Sequence, residues 1–397
     1  MSANSGGTAK IGTDWRVRAR QPVGYDVRVL NGLLSPSNPA LAEACGTAPG
    51  RSPRCLLIVD DSVDVLHGDR LRAYFEAWSI DVEWHVVPGG EQSKNLDEVV
   101  AITEAMTGMG ILRRSEKVVA VGGGAVLDVA GMAAGLYRRG VPYVRVPTTL
   151  IGQVDAGIGV KTGINHGTHK NRLGSYYAPE VALIDPEFLR TVPKRHIANG
   201  LAEIVKMALI KDAALFDLLE LAVHDLDAAA FADGEPGGPA VEIMSRAIGG
   251  MLDELEPNLW EEVLERSVDY GHTFSPSLEL RADPPLLHGE AVAVDMAVCV
   301  ALAHNRGMLG TADADRAIGL LRAAGLPVTD PVFTTDLLVE ALRDAVKHRD
   351  GEQRIPLTDG IGSATFVHDI TREELGEALR FVRERAGSDT VLVRAAR

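Results

Sequence analysis

One carboxylate and two imidazoles, Glu203, His272 and His288, form a three-ligand set of the kind that holds a zinc ion with one coordination position open. Glu203 lies in Ala202-Glu203-Ile204-Val205-Lys206, a helical pattern in which Glu203 and Lys206 share a face. The histidines lie in Tyr270-Gly271-His272-Thr273 and Leu287-His288-Gly289-Glu290. The set is dispersed, unlike H-E-x-x-H, so spacing alone leaves open two structural histidines and an exposed acid–base pair. A second candidate is Gly122-Gly123-Gly124, which follows the apolar run Lys117–Val121 and opens a helix through Asp128. Such a loop lets a ligand approach the backbone, and the helix N-terminus favours an anion there. It is not G-x-G-x-x-G, so a plain strand–helix turn explains it equally well. Asp60, after Cys55–Val59, suits a ribose hydroxyl or a helix cap. The turn Gly89–Lys94, with Glu91 and Lys94, reads in isolation as a solvated loop. Third, residues 147–177 carry six glycines with Lys161, Lys170, Asn171 and Arg172, donors suited to a phosphate. A solvated basic loop is the alternative. Asp155, six residues before Lys161, could position a hydroxyl.

These residues need a scaffold, and 397 residues suffice for two or three domains. Hydrophobic residues make up 46% and charged residues 24%, which excludes a mainly disordered chain. The net charge of −15 argues against nucleic acid and anionic membranes as partners, while permitting a local basic pocket. Cys45, Cys55 and Cys299 form no close pair in sequence, which suits a reducing cytoplasm. The N-terminal stretch has no apolar core of signal-peptide length, and no apolar run approaches membrane-spanning length. Short apolar runs, Cys55–Val59, Val82–Val87, Lys117–Val121, Tyr143–Val146 and Val181–Ile184, alternate with helical patterns at Asp69–Trp78, Asn95–Met109 and Leu127–Leu136. That alternation predicts βαβ units around a parallel sheet. Beyond Asp185 the patterns are helical: Arg195–Ala222, Ala240–Leu255, Ala291–Asn305, Ala312–Ala324 and Thr334–Val346, with an acidic Gly/Pro-rich loop at Asp225–Pro239. The expected organisation is a frayed lead-in over 1–20, an α/β domain over 21–190 and an all-α domain over 191–397.

Together these segments resemble the sugar phosphate cyclase superfamily, the dehydroquinate synthase-like proteins, over roughly Leu56 to Gly362. The most specific stretch is Pro147–Pro179, close to P-T-T-L-x-x-Q-V-D…K-T-G-x-N-H…K-N…G-x-Y. The resemblance implies an NAD-binding α/β domain and a helical metal- and substrate-binding domain. It implies NAD contacts from Asp60, Glu91, Lys94, Gly122, Gly123, Gly124, Asp128, Thr148, Thr149, Lys161 and Lys170. It implies zinc, or alternatively cobalt, on Glu203, His272 and His288. Asp155, Lys161, Lys170, Asn171 and Lys206 match substrate-pocket positions, and Arg139 matches an arginine that reaches the phosphate of a neighbouring subunit, hence a homodimer.

The departures bear on the substrate. Dehydroquinate synthases carry R-x-x-L-N-x-G-H-x-x-G-H where this chain has Glu265 for the arginine, Asp269 for the asparagine and Pro276 for the second histidine; Met251 replaces an upstream lysine. A wall with Glu265 and Asp269 should reject a carboxylate and accept a hydroxymethyl end. This pattern, with Lys347, His348 and Glu256–Trp260, resembles the 2-epi-5-epi-valiolone synthases, which cyclise sedoheptulose 7-phosphate. The implied chemistry is transient oxidation by NAD, phosphate elimination, reduction and intramolecular aldol closure, with catalytic roles for Asp155, Lys161, Lys206, Asp269 and His272. Dehydroquinate synthase, desmethyl-4-deoxygadusol synthase, a metal-dependent polyol dehydrogenase and a non-catalytic NAD-binding protein are the rival readings.

Overall fold

The computed structural model describes residues 8–11, 14–19, 21–46, 52–167 and 169–386. The chain begins with an antiparallel hairpin, β1 (Thr8–Ile11) and β2 (Asp14–Val17), inside the stretch expected to be frayed. Then follow β3 (Asp26–Val29), α1 (Ala40–Cys45), β4 (Arg54–Asp60), α2 (Asp61–Ala77), β5 (Asp81–Val87), α3 (Leu96–Met109), β6 (Lys117–Gly122), α4 (Gly124–Leu136) and β7 (Tyr143–Pro147). A hairpin of β8 (Lys161–His166) and β9 (His169–Tyr176) precedes β10 (Val181–Ile184).

Six strands form one parallel sheet in the order β3-β10-β7-β6-β4-β5. Its central strands are apolar throughout because helices cover both faces. Along β4, Cys55, Leu57 and Val59 enter the core on one face, and Leu56 and Ile58 the core on the other. The chain leaves β4 toward β5 on one side and returns to β6 on the other. The ends of β4 and β6, where Asp60 and Gly122 lie, therefore flank a topological switch point, the usual place for a ligand crevice.

The helical part comprises α5 (Lys194–Ile210), α6 (Ala213–Ala222), α7 (Ala228–Ala232), α8 (Pro239–Leu255), α9 (Ser275–Arg281), α10 (His288–Asn305), α11 (Thr311–Ala323) and α12 (Thr335–His348). A hairpin, β11 (Ile355–Thr358) and β12 (Ala364–Val367), and α13 (Arg372–Ala386) complete it. Every residue of α10 from Gly289 to Ala303 is buried, so this helix is the axis around which the others pack.

Several expectations need correction. The helical half is not all-α, since β11 and β12 pair antiparallel. The pattern Arg195–Ala222 is two helices, because Asp212 accepts from the Leu215 N–H and starts α6 afresh. The loop Asp225–Pro239 contains α7. Residues 147–177 are largely ordered as β8 and β9, preceded by a π-helical turn, Gly152–Ala156. Leu150, Val154 and Ile158 around that turn pack into the helical core, tying the sheet edge to the helices. Cys45 and Cys55, separate in sequence, are buried free thiols near enough that Cys45, together with burial, pushes the Cys55 thiol up. Among the described residues no helix is long and apolar enough to cross a membrane.

Candidate active site between the sheet edge and the helical core

Glu203 projects from α5, His288 from the first turn of α10, and His272 from the segment before α9. One ligand atom from each lies within 4.8 Å of the others. His288 Nε2 is 3.3 Å from Glu203 Oε1, and His272 Nε2 is 3.8 Å from the same oxygen. The two Nε2 atoms are 3.3 Å apart. Close approach of the helices makes this geometry: a Cβ on Gly289 would lie 2.1 Å from the Asn199 carbonyl of α5, so only glycine lets α10 start here.

The tautomers follow from the partners. His272 Nδ1 lies 3.0 Å from the Tyr270 carbonyl, and His288 Nδ1 lies 3.0 Å from Glu279 Oε1. Both partners only accept, so each Nδ1 donates and each Nε2 is the nitrogen left facing the cluster. Glu203 is 1% exposed and neither carboxylate oxygen has a hydrogen bond of good geometry, although Lys206 Nζ approaches Oε2 to 2.6 Å. Two imidazole Nε2 atoms and an under-satisfied carboxylate converging on one spot fit a divalent cation, which would take the place of the His288 proton.

The charges agree. Burial alone would lower His288, but Glu279 and Glu203 outweigh it and bring it up to about 10. Burial would raise Glu203, yet Lys206, His288 and His272 hold it well below the carboxylate range. Burial lowers His272, and Lys206 adds to the effect. Burial opposes the charge on Lys206, but Glu203 and Asp155 keep it raised. The spot favours positive charge, from a proton or a metal ion.

The glycine loop lies alongside. A Cβ on Gly122 would fall 2.9 Å from Val126 Cβ and 3.1 Å from Asp60 Cβ, so only glycine lets the end of β6 pack this closely against α4 and the end of β4. Asp60 caps α2, accepting from Ser62 and Val63 N–H, and burial raises it. Thr148 donates its N–H to the Gly122 carbonyl, and Thr149 Oγ1 accepts from Gly152 N–H. Buried Lys94 reaches Asp128 Oδ2 at 2.8 Å and Asn171 Oδ1 at 2.5 Å, joining the loop to the β8–β9 hairpin. Lys170 continues that link, 2.5 Å from Glu279 and 3.8 Å from Glu91. A glycine turn at a helix N-terminus with flanking acids fits a dinucleotide.

The structure does not gather every candidate. Lys161 is exposed and pairs with Glu261. Arg139 is exposed at the far end of α4, roughly 20 Å from Gly124 by helix length. Glu265 is exposed, 3.7 Å from His368, so it does not form an acidic wall at the cluster. Lys347 pairs with Asp344 in solvent, and His348 is exposed; Arg349, just past α12, is the buried residue of the three. Sequence reading missed Glu279, Glu261, Arg266 and Arg349. Glu279 pairs with Lys170 and Arg349 with Asp269 across long separations that no local pattern marks, whereas Arg266 has its partners Glu261 and Asp269 close by in sequence.

Known families match this arrangement. Residues 84–199 match the 3-dehydroquinate synthase N-terminal model and residues 200–348 its C-terminal model, together more than half the chain. A 2-epi-5-epi-valiolone synthase from Actinomyces sp. is 49% identical over 381 residues, 96% of this chain and 100% of that one. The chain belongs to the sugar phosphate cyclases. A solved cyclase, the 2-epi-5-epi-valiolone synthase ValA of Streptomyces hygroscopicus subsp. jinggangensis with NAD+ and Zn2+ bound, superposes with a TM-score of 0.88 at 49% identity. The match covers 94% of this chain and 100% of that one. A demethyl-4-deoxygadusol synthase from Trichormus variabilis, another cyclase, is 37% identical over 92% of this chain and 89% of that one.

Proposed function

We propose that this chain converts sedoheptulose 7-phosphate to 2-epi-5-epi-valiolone and inorganic phosphate with NAD+ and zinc bound, cobalt being the alternative metal. The observation that carries the reading is 49% identity to a synthase of that activity over 96% of this chain. The Glu203–His272–His288 group, with the glycine turn at the start of α4, supports it. When bound, the cofactor and metal supply a reversible hydride acceptor and a Lewis acid for a substrate oxygen.

The chain's own residues do the rest. Glu203, His272 and His288 would hold the metal. Gly122, Gly123, Gly124, Thr148, Thr149, Asp60, Glu91, Lys94 and Asp128 line the cofactor side. Lys206, kept cationic by Glu203 and Asp155, donates to substrate oxygen where negative charge develops. Asp155 accepts from a hydroxyl. Lys161, Lys170 and Asn171 bind the phosphate, which requires the two lysines to exchange their carboxylate partners for the ligand. Arg139 cannot reach this cluster within its own chain, so we assign it to the phosphate of a neighbouring subunit.

Incubation with sedoheptulose 7-phosphate, zinc and substoichiometric NAD+ should release phosphate to completion without net NADH, with the cyclitol identified by NMR. Net NADH would indicate a polyol dehydrogenase. Faster phosphate release from the carboxylate-bearing substrate of dehydroquinate synthase would reverse the branch assignment. A fully active monomer by sedimentation in the same assay would remove the role given to Arg139.

Glu279 orients His288 through Nδ1 and is itself 5% exposed. Glu279→Gln should therefore lower zinc affinity by about 10–100-fold with the fold retained, as chelator competition would measure. Unchanged affinity would mean that the carboxylate does not position the ligand.

A further inference from the structure

Asp269 is not an isolated acid. Arg266 Nη1 lies 3.1 Å from Asp269 Oδ1 and 2.7 Å from Glu261 Oε1. Arg349 Nη2 lies 3.7 Å from Asp269 Oδ2, and Arg349 Nη1 donates to Thr273 Oγ1 at 3.4 Å. The arginine side chains are 14% and 8% exposed, the aspartate 23%. Two largely buried guanidinium groups converging on one point are what a carboxylate-binding position is made of. Here the carboxylate in that position belongs to the protein. It opens on the candidate site: the His272 N–H donates to the Asp269 carbonyl, and the Asp269 charge acts on Lys206.

We propose that Asp269 is a specificity-determining residue whose side chain fills the carboxylate position that Arg266 and Arg349 would otherwise offer to a substrate. The inference rests on the reading of the substrate as a heptulose phosphate. It replaces repulsion by occupancy as the ground for rejecting a carboxylate. An incoming carboxylate must displace a tethered one, whose effective concentration is far higher than that of any free ligand. A hydroxymethyl end needs no ion pair and meets no such competition. Occupancy depends on Asp269 and the two arginines and not on Glu265, which faces His368.

Binding separates the two explanations. The ligand is the carboxylate-bearing seven-carbon phosphate that dehydroquinate synthases cyclise, titrated calorimetrically into the NAD+- and zinc-loaded protein. Asp269→Asn should bind it at least about tenfold more tightly than wild type, the scale of one freed charge-assisted hydrogen bond. Arg349→Met added to Asp269→Asn should cancel most of the gain, and Glu265→Gln should change nothing. Asp269→Ser provides a second route if the asparagine variant misfolds, with circular dichroism and zinc content as controls. Equal affinity in wild type and both Asp269 variants would overturn the proposal. So would a gain that survives loss of both arginines, or one reproduced by Glu265→Gln. Turnover of sedoheptulose 7-phosphate by wild type is read separately. Its absence would sink the proposed reaction, while the binding comparison still decides the role of Asp269.

Discussion

Glu203→Ala should lose its metal and its turnover, and it should lose more stability than His272→Ala or His288→Ala. The reason is Lys206, whose side chain is 2% exposed and 2.6 Å from Glu203 Oε2. Removing the carboxylate strands a buried ammonium, at a cost of about 3–5 kcal/mol. Asp155 remains as a more distant compensating charge. His288→Ala leaves Glu279 with Lys170 as partner, and His272→Ala removes a side chain held by one backbone carbonyl, so each should cost only about 1 kcal/mol. Turnover in all three should fall below ~1% of wild type, because a three-ligand site does not survive loss of one ligand. Metal analysis and urea unfolding of metal-free protein read the two effects independently. The double change Glu203→Ala with Lys206→Met should restore stability but not metal, since it removes the stranded charge and leaves the ligand missing. Full metal content in the single variants would refute the ligand assignment. A stable Glu203→Ala protein would refute the buried pair.

Lys94→Met should weaken NAD+ binding by about tenfold or more and destabilise the fold in a pH-dependent way. Lys94 is buried and joins Asp128 of α4 to Asn171 of β9, so its loss frees the glycine loop from the hairpin. Burial already raises Asp128 despite the opposing pull of Lys94. Without that pull the carboxyl rises further. An acid whose folded value exceeds its unfolded value costs stability while ionised, and the cost fades as pH falls through the folded value. The deficit of Lys94→Met against wild type should therefore be large at pH 8 and shrink toward pH 5. Paired urea titrations at the two pH values measure it. A deficit that does not change with pH, or unaltered NAD+ affinity, would show that the bridge is not what holds Asp128.

Much of the scaffold was legible because its signals are local. The five apolar runs between Cys55 and Ile184 all lie within strands, and Asn95 caps α3 as its type allows. The hairpin of β8 and β9 was not legible. Its glycines and charges look like loop composition, and only pairing across the turn orders them. The break at Asp212 was missed because apolar periodicity continues on both sides of it.

The candidate site divides along the same line. The sequence alone determined the family, and it offered the candidate ligand types and the glycine turn, all of which depend on residue identity within short segments. Which side chains meet was decided only by tertiary packing. Glu279 and Lys170 are joined across a separation of 109 residues, which no periodicity reports. At the start of the short turn Ser267–Asp269, a difference of one residue puts Arg266 against Asp269 and leaves Glu265 exposed. At the end of α12 a one-residue step buries Arg349 beside Asp269 and leaves Lys347 and His348 in solvent. The phase of a chain where it leaves a helix or turn is set by what it packs against. The charge balance around Asp269 therefore follows from the folded neighbours and not from the order of the residues.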